Sequence, residues 1–381
     1  MSTTSTVTSQ FVDYRGVVRQ LKSDTGAAKS VSFSEVPVID IAPFLDGSNK
    51  QKVVEELKNA AMNVGFLYLK GHGLPEEVAK RAFEAAKTFF ELPEDDKMSV
   101  YFKKSPEFRG WEPPKGRTHA KGDLKEAYNW GYEPSADTTK PCTTEENEAF
   151  MEAHPEAGRN VWPDKIPELR DALYGYYGET LAVGRSITRI FALALELPED
   201  YFLQMFDRPG VLARALYYPP QDAYDEADGE TKGIGIGAHS DIEMFTLLLQ
   251  GPNVSCLQVL NQEGEWIKAP PIPGTLVMNI GDMLSRWTNG KFVSTVHRVI
   301  NTTPHTARYS LPTFFGPSYR TIIDVLPSCV FPGEKSQFEP IEAGEYVFRR
   351  LARSRLGAAY NEAQSVEELR EAVKQAAMVP T

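Results

Sequence analysis

His239 and Asp241 stand two residues apart at the end of Gly235-Ile236-Gly237-Ala238-His239-Ser240-Asp241. On extended backbone, side chains i and i+2 point to the same face, so an imidazole and a carboxylate can grip one metal ion from one side. The glycines ahead of them let backbone approach closely. A second imidazole, His297, comes 297 − 241 = 56 residues later in the strand-like run Val293-Ser294-Thr295-Val296-His297-Arg298-Val299-Ile300. Two histidines and one carboxylate leave the remaining metal positions open, the arrangement of a non-haem Fe(II) centre that works with O2. Arg308 and Ser310 repeat the same-face spacing on the next expected strand, where a guanidinium and a hydroxyl can hold a carboxylate.

His239-Ser240-Asp241, His297 and Arg308-Tyr309-Ser310 resemble the Fe(II)/2-oxoglutarate-dependent dioxygenases, in particular the isopenicillin N synthase-like branch. Upstream, Val36-Pro37-Val38-Ile39-Asp40, Gly65-Phe66-Leu67-Tyr68-Leu69-Lys70-Gly71-His72-Gly73 and Tyr217-Tyr218-Pro219-Pro220 look like the same branch, so the resemblance spans roughly residues 36 to 355. It implies Fe(II) held by His239, Asp241 and His297. It also implies 2-oxoglutarate as co-substrate with its distal carboxylate on Arg308 and Ser310, O2 as oxidant, and ascorbate as an accessory. Tyr218 matches a tyrosine that touches the same carboxylate in similar enzymes. Plant members carry Asn two residues before it, whereas Leu216 stands here.

The elements that must position these residues follow from pattern and length. The chain has 381 residues, 41% hydrophobic and 24% charged, enough to bury a sizeable core. From Leu212 onward, eight short strands separated by Gly, Pro and Asn turns are expected: 212–218, 235–240, 243–249, 256–260, 265–268, 275–280, 292–299 and 308–316. That pattern suits a double-sheet jelly roll. The expected fold is therefore α+β, mainly β: a double-stranded β-helix core flanked by N-terminal and C-terminal helices. Helices are expected at Gln51–Asn63, from Pro75 to Phe90, from Asp164 or Pro167 to Leu195, over Ala343–Tyr360 and over Val366–Ala377. Residues 1–33 read as a poorly ordered segment in which Phe11–Leu21 could dock as a short helix. Residues 34–200 read as a helical and strand region packed on the core, 201–330 as the core and 331–381 as a helical tail. Ser105–Asn160 reads as irregular and packed beside the metal site.

A net charge of −11 gives little support for binding a phosphate backbone, so no nucleic-acid partner is expected. No apolar run is long enough for a membrane span, and Met1–Gln10 lacks a secretory pattern. Cys142, Cys256 and Cys329 are scattered and odd in number, which suits a reducing cytoplasm. The oligomeric state is left open.

Of the other histidines, His72 reads as packing in a Gly71–Gly73 turn, His305 as a solvated loop residue, and His119 and His154 as lacking a carboxylate at ligand spacing. Arg214 shares a strand face with Leu216 and Tyr218 and is expected to line the cavity with Phe245, Phe315, Tyr128 and Trp130 as substrate contacts. Asn279-Ile280-Gly281-Asp282 reads as a turn. The expected activity is oxidation of a small organic molecule of specialised metabolism, by hydroxylation, desaturation or cyclisation, with release of succinate and CO2. Two readings in the same fold stay open: an oxidase of the isopenicillin N synthase type that uses no 2-oxoglutarate, and an ethylene-forming variant. A non-catalytic metal-binding barrel is the rival of another class.

Overall fold

The computed structural model describes residues 9–12, 18–21, 36–105, 107–114, 124–220, 234–252, 254–301, 305–330, 332–356 and 359–378. β1 (Ser9–Val12) and β2 (Val18–Leu21) pair as an antiparallel hairpin where a helix over Phe11–Leu21 is expected from the sequence. The β-branched Val12 and Val18, which face each other there, favour extended backbone.

Next come β3 (Val38–Asp40), α1 (Ala42–Leu45), α2 (Lys50–Asn63), β4 (Phe66–Lys70), α3 (Glu76–Phe90) and α4 (Glu94–Lys97). Pro75 caps α3 with extended backbone, and Ala82, Ala85, Ala86, Phe89 and Phe90 form its buried stripe. β5 (Gly110–Glu112), β6 (Glu126–Gly131) and α5 (Thr144–Ala153) then occupy the segment expected to be irregular. Two signals there are local. Tyr128 and Trp130 repeat with period two, and Thr143 with Glu146 forms a capping box for α5. α6 (Glu168–Ala194) is the long central helix.

The second half supplies β7 (Leu212–Tyr218), β8 (Ile234–His239), β9 (Phe245–Gln250), β10 (Leu257–Leu260), β11 (Trp266–Lys268) and β12 (Leu276–Ile280). α7 (Asp282–Trp287), β13 (His297–Ile300), β14 (Arg308–Phe315), β15 (Ile322–Ile323) and β16 (Ile341–Glu342) follow, and α8 (Ala343–Leu356) and α9 (Val366–Met378) end the chain.

Eight strands form one sheet in the order β3-β4-β12-β9-β14-β7-β6-β5, and four form another in the order β11-β10-β13-β8. All these pairings are antiparallel except β3 with β4. The first half of the chain supplies both edges of the larger sheet, so that sheet crosses the boundary expected at residue 200. Phe66, Leu216, Tyr218 and Leu248 of the larger sheet share an apolar cluster with Leu257, Val259 and Val299 of the smaller one. The opposite face of the larger sheet meets α6, where the Tyr176 hydroxyl donates to the Leu311 carbonyl and Gly184 lets the Phe315 ring close in. The fold is thus α+β and mainly β, a jelly roll with flanking helices, and its two sheets enclose the space where strand-borne side chains meet.

Candidate active site

β8 and β13 are neighbours in the smaller sheet, and their register sets His239 opposite His297. The two rings lie 4.2 Å apart between centroids. Asp241, just past the end of β8, is held to the larger sheet instead. Thr246 Oγ1 of β9 and Asn279 Nδ2 of β12 both donate to its Oδ2, Asn279 at 2.7 Å. Thr246 and Asn279 are themselves cross-strand partners.

Each imidazole turns its Nδ1 to a backbone carbonyl, His239 to Gly237 at 2.8 Å and His297 to Thr295 at 3.2 Å. Those contacts place the ring proton on Nδ1 and leave Nε2 as the lone-pair donor. The Nε2 atoms of His239 and His297 lie 3.9 and 3.7 Å from Asp241 Oδ1. One ligand atom from each residue therefore sits within 4.8 Å of the others. Burial, together with His239, drives His297 down to about 4 against the pull of Asp241, so the ring is neutral at pH 7. Burial works to raise Asp241, but His297, His239 and the bonds from Thr246 and Asn279 outweigh it and hold the carboxyl below its ordinary value. Neutral imidazole and ionised carboxylate are the forms that bind metal, and two nitrogens with one oxygen on one side fit Fe(II) with open positions.

Arg308 is 2% exposed. Its Nη1 donates to Ser310 Oγ at 3.1 Å and its Nη2 to Gln250 Oε1 at 3.3 Å, while the Tyr218 ring lies 4.9 Å from the guanidinium carbon. Nε has no partner, and no carboxylate of the described residues pairs with this buried cation. A guanidinium in that state fits an incoming anion such as the far carboxylate of 2-oxoglutarate. Gly235 makes room for the tyrosine: a Cβ there would lie 2.5 Å from the Tyr218 ring.

The three possible metal ligands, together with Arg308, Ser310 and Tyr218, line one cavity of about 60 Å³ between the sheets. Leu248, Leu257, Val299, Pro312 and Phe314 give it apolar walls. Of the expected substrate contacts, none lines it. Counting by twos from Arg308 reaches Ser310, Pro312 and Phe314, so Phe315 falls on the opposite face. There it stacks on Phe245, with centroids 4.9 Å apart and planes at 4°. Tyr128 and Trp130 also face the helices; the Tyr128 hydroxyl donates to the Val161 carbonyl and its ring meets Phe89 edge-on. Arg214 keeps the inward face that its spacing gives it, but its charge is taken by Glu112 at 2.6 Å and Asn129 at 2.7 Å.

Several site residues escape a reading of the sequence. Asn279 belongs to β12 rather than to a turn, because the chain leaves the strand only at Gly281. Gln250 and Thr246 give one signal, as polar breaks in the apolar run of β9. Asp282 is fully buried and accepts from Ser240 Oγ, Ser294 Oγ and Arg350 Nη2. His72 accepts from the Leu74 backbone within its turn, as expected, and His119 lies outside the described residues.

Residues 36–165 match the family described as non-haem dioxygenase in morphine synthesis N-terminal, and residues 210–317 match the 2OG-Fe(II) oxygenase superfamily. The 2-oxoglutarate-Fe(II) type oxidoreductase ppzC of Metarhizium majus is 37% identical over 328 residues, 84% of this chain and 87% of that protein. Homoarginine-6-hydroxylase 2-ODD-C23 of Glycine max is 34% identical over 309 residues, covering 78% and 90%. Among solved structures, a full-length Neurospora crassa protein in complex with alpha-KG and thymine superposes with a TM-score of 0.71 at 27% identity, over 85% of this chain and 99% of that one. Set beside a jelly roll whose cavity joins a two-histidine, one-carboxylate cluster to a buried arginine, these matches place the chain in the Fe(II)- and 2-oxoglutarate-dependent oxygenase superfamily, as an oxidoreductase of small organic molecules.

Proposed function

We propose that His239, Asp241 and His297 bind the Fe(II), and that Arg308, Ser310 and Tyr218 receive the far carboxylate of 2-oxoglutarate. The observation that carries this assignment is the shared cavity: three spare donor atoms and a guanidinium with no carboxylate partner among the described residues line the same space. Once bound, the metal and co-substrate supply the oxidising power, with O2 consumed and succinate and CO2 released as the substrate is oxidised.

The chain's own residues prepare that chemistry. The Gly237 and Thr295 carbonyls fix both imidazoles in the ligating tautomer. Thr246 and Asn279 occupy Asp241 Oδ2 and so keep Oδ1 available. The Arg308 fork accepts a planar carboxylate, Ser310 and Gln250 hold that fork in place, and Tyr218 covers it from water. Leu248, Leu257 and Val299 keep the reacting space dry.

The substrate we assign is a small or medium-sized molecule of specialised metabolism. The relatives' names, which include a hydroxylase of an amino acid, favour hydroxylation over desaturation or ring closure. All three cysteines are unpaired, which supports a reducing compartment such as the cytoplasm. No helix among the described residues is long and apolar enough to cross a membrane.

The test is substrate-dependent succinate release by the iron-loaded protein across a panel of small amino acids, bases and aromatic acids. His239→Ala should abolish turnover. Arg308→Lys should raise the KM for 2-oxoglutarate by about tenfold or more, because a point charge replaces a fork. Product formed without 2-oxoglutarate, or undiminished turnover in His239→Ala, would overturn the assignment.

A further inference from the structure

A second cavity, of about 100 Å³, lies away from the metal cluster and shares no lining residue with the first. It opens where β7 begins and β14 has ended, lined there by Gly210 and Val211 on one side and Ser318 to Arg320 on the other. Tyr218 and Arg308 sit at the opposite ends of these two strands. At about 3.3 Å per residue, β14 alone separates Phe315 from Arg308 by roughly 23 Å. This cavity is therefore distinct from the 2-oxoglutarate clamp.

Its walls carry the cations Arg109, Arg208 and Arg320, with His154 Nε2 facing Arg208, and no carboxylate is among its lining residues. That concentration of cations runs against a chain whose net charge is −11. Arg109 is the informative one. It is 5% exposed, yet forms no ion pair among the described residues. Nη2 donates to the Ala157 carbonyl at 2.6 Å, the Tyr319 hydroxyl lies against the guanidinium, and Nε has no partner at all. The guanidinium lies flat over Gly131, where a Cβ would come within 2.4 Å of Nη2.

A purely structural arginine would use its five donors on carbonyls or a carboxylate, because a buried charge without a counter-charge is costly. Arg109 lies beside an open space with Nε unpartnered and the stem of Glu107 as its acidic neighbour. Arg208 stands over the Phe150 ring with Nη1 at 2.7 Å from His154 Nε2, and its nearest carboxylate is its neighbour Asp207 at 3.9 Å. The half-exposed Arg208 thus forms the mouth and Arg109 the floor.

We propose that this cavity is a binding site for the carboxylate or phosphate group of a small molecule, held by Arg109 and Arg208 with Tyr319 and Ser318 as hydroxyl partners. Such an anion supplies the unpartnered Arg109 Nε and the Arg208 guanidinium with acceptors and takes two or more charge-assisted hydrogen bonds. It has two chemical sources: the acidic end of the substrate itself, or a separate anionic effector.

The experiment is calorimetric titration of the Mn(II)- and 2-oxoglutarate-loaded protein with inorganic phosphate and, separately, with propionate, so that the Arg308 clamp is already filled. One saturable site is expected. Arg208→Gln should weaken it by about tenfold and Arg109→Gln should abolish it. Arg208 is exposed enough that its variant folds, so the test survives if Arg109→Gln does not. No saturable binding of either anion, or binding that both variants leave within about twofold, would overturn the proposal. Competition between phosphate and a turned-over acid assigns the site to the substrate, and altered turnover without competition assigns it to an effector. Because the titration needs no turnover, its result stands apart from that of the succinate assay.

Discussion

Removing Arg350 from the C-terminal helix is expected to weaken the proposed metal site, which it never touches. The Asp282 carboxylate has no exposed surface, and Arg350, about a quarter exposed, donates to it at 2.6 Å. Ser240, between His239 and Asp241, and Ser294, three residues before His297, donate to the same carboxylate at 3.0 and 2.6 Å. Burial already pushes the Asp282 carboxyl above its ordinary value despite these three donors. Arg350→Met therefore strands a buried carboxylate. Breaking one side of such a pair costs about 3–5 kcal/mol, and two surviving hydroxyl donors and partial solvent access argue for about 3. The deficit has a definite pH sign. A carboxyl raised in the folded state binds its proton more tightly than the unfolded chain does, so stability is lost as pH rises above about 4, and the variant suffers more at pH 8 than at pH 5. Asp282→Asn combined with Arg350→Met removes the charge, and the serine hydroxyls can rotate to serve the amide, so roughly 2 kcal/mol should return. Denaturant unfolding of the parent, Asp282→Asn, Arg350→Met and the double variant measures the coupling, and Mn(II) titration should show about a tenfold weaker site in Arg350→Met. A single variant costing under about 0.5 kcal/mol, or a double variant no better than the single, would refute the reasoning.

Four further outcomes follow from local geometry elsewhere in the fold. Asn279→Leu and Thr246→Val free Asp241 Oδ2 and should weaken Mn(II) binding by about 10–100-fold in calorimetry while leaving circular dichroism unchanged. Gly184→Ala puts a Cβ 2.0 Å from the Phe315 ring and should cost about 1–3 kcal/mol in denaturant unfolding. Gly175→Ala, in the same helix with nothing within 4 Å, should instead stabilise by about 0.5–1 kcal/mol. Burial works to raise Asp137, but the bidentate Arg185 and the bonds from Thr139 hold its carboxyl below the ordinary value. Its stability contribution is therefore present above about pH 4 and lost on acidification below it. Arg185→Met should lose about 3 kcal/mol at pH 7 and flatten the acid limb of the unfolding profile.

The donors of the site are legible because their pattern is local. His239 with Asp241 and Arg308 with Ser310 are two apart, and period two is a property of any single strand. The same rule, applied from Arg308 without skipping, reaches Phe314, and Phe315 is one residue out of that parity. What cannot be read is whatever depends on register between strands. Thr246 and Asn279 are 33 residues apart and become neighbours only because β9 and β12 pair as they do. Gly-Asp chemistry makes Asn279 look like part of a turn, although the turn begins two residues later. Strands β5 and β6 are hidden for a different reason. The masses of charge and glycine around them mask two short runs, of which β6 finds its partner β7 only 81 to 91 residues later and β5 in turn pairs only on β6.

That split between local and non-local parts explains how the site is assembled. Both imidazoles belong to the smaller sheet, where one pair of strands sets them face to face. Asp241 answers to the larger sheet through Thr246 and Asn279, and Arg308 with Ser310 and Gln250 lies wholly within the larger sheet. The proposed metal ligands therefore measure the gap between two sheets, while the proposed co-substrate clamp measures only one. A change that shifts the sheets, such as loss of the Leu248–Leu257–Val299 packing between them, should degrade metal affinity before it touches 2-oxoglutarate affinity. A change within β14 or β7 should do the reverse. The two affinities of this enzyme are thus separable by where a substitution falls, and metal binding, by bridging the sheets, should stabilise the jelly roll itself.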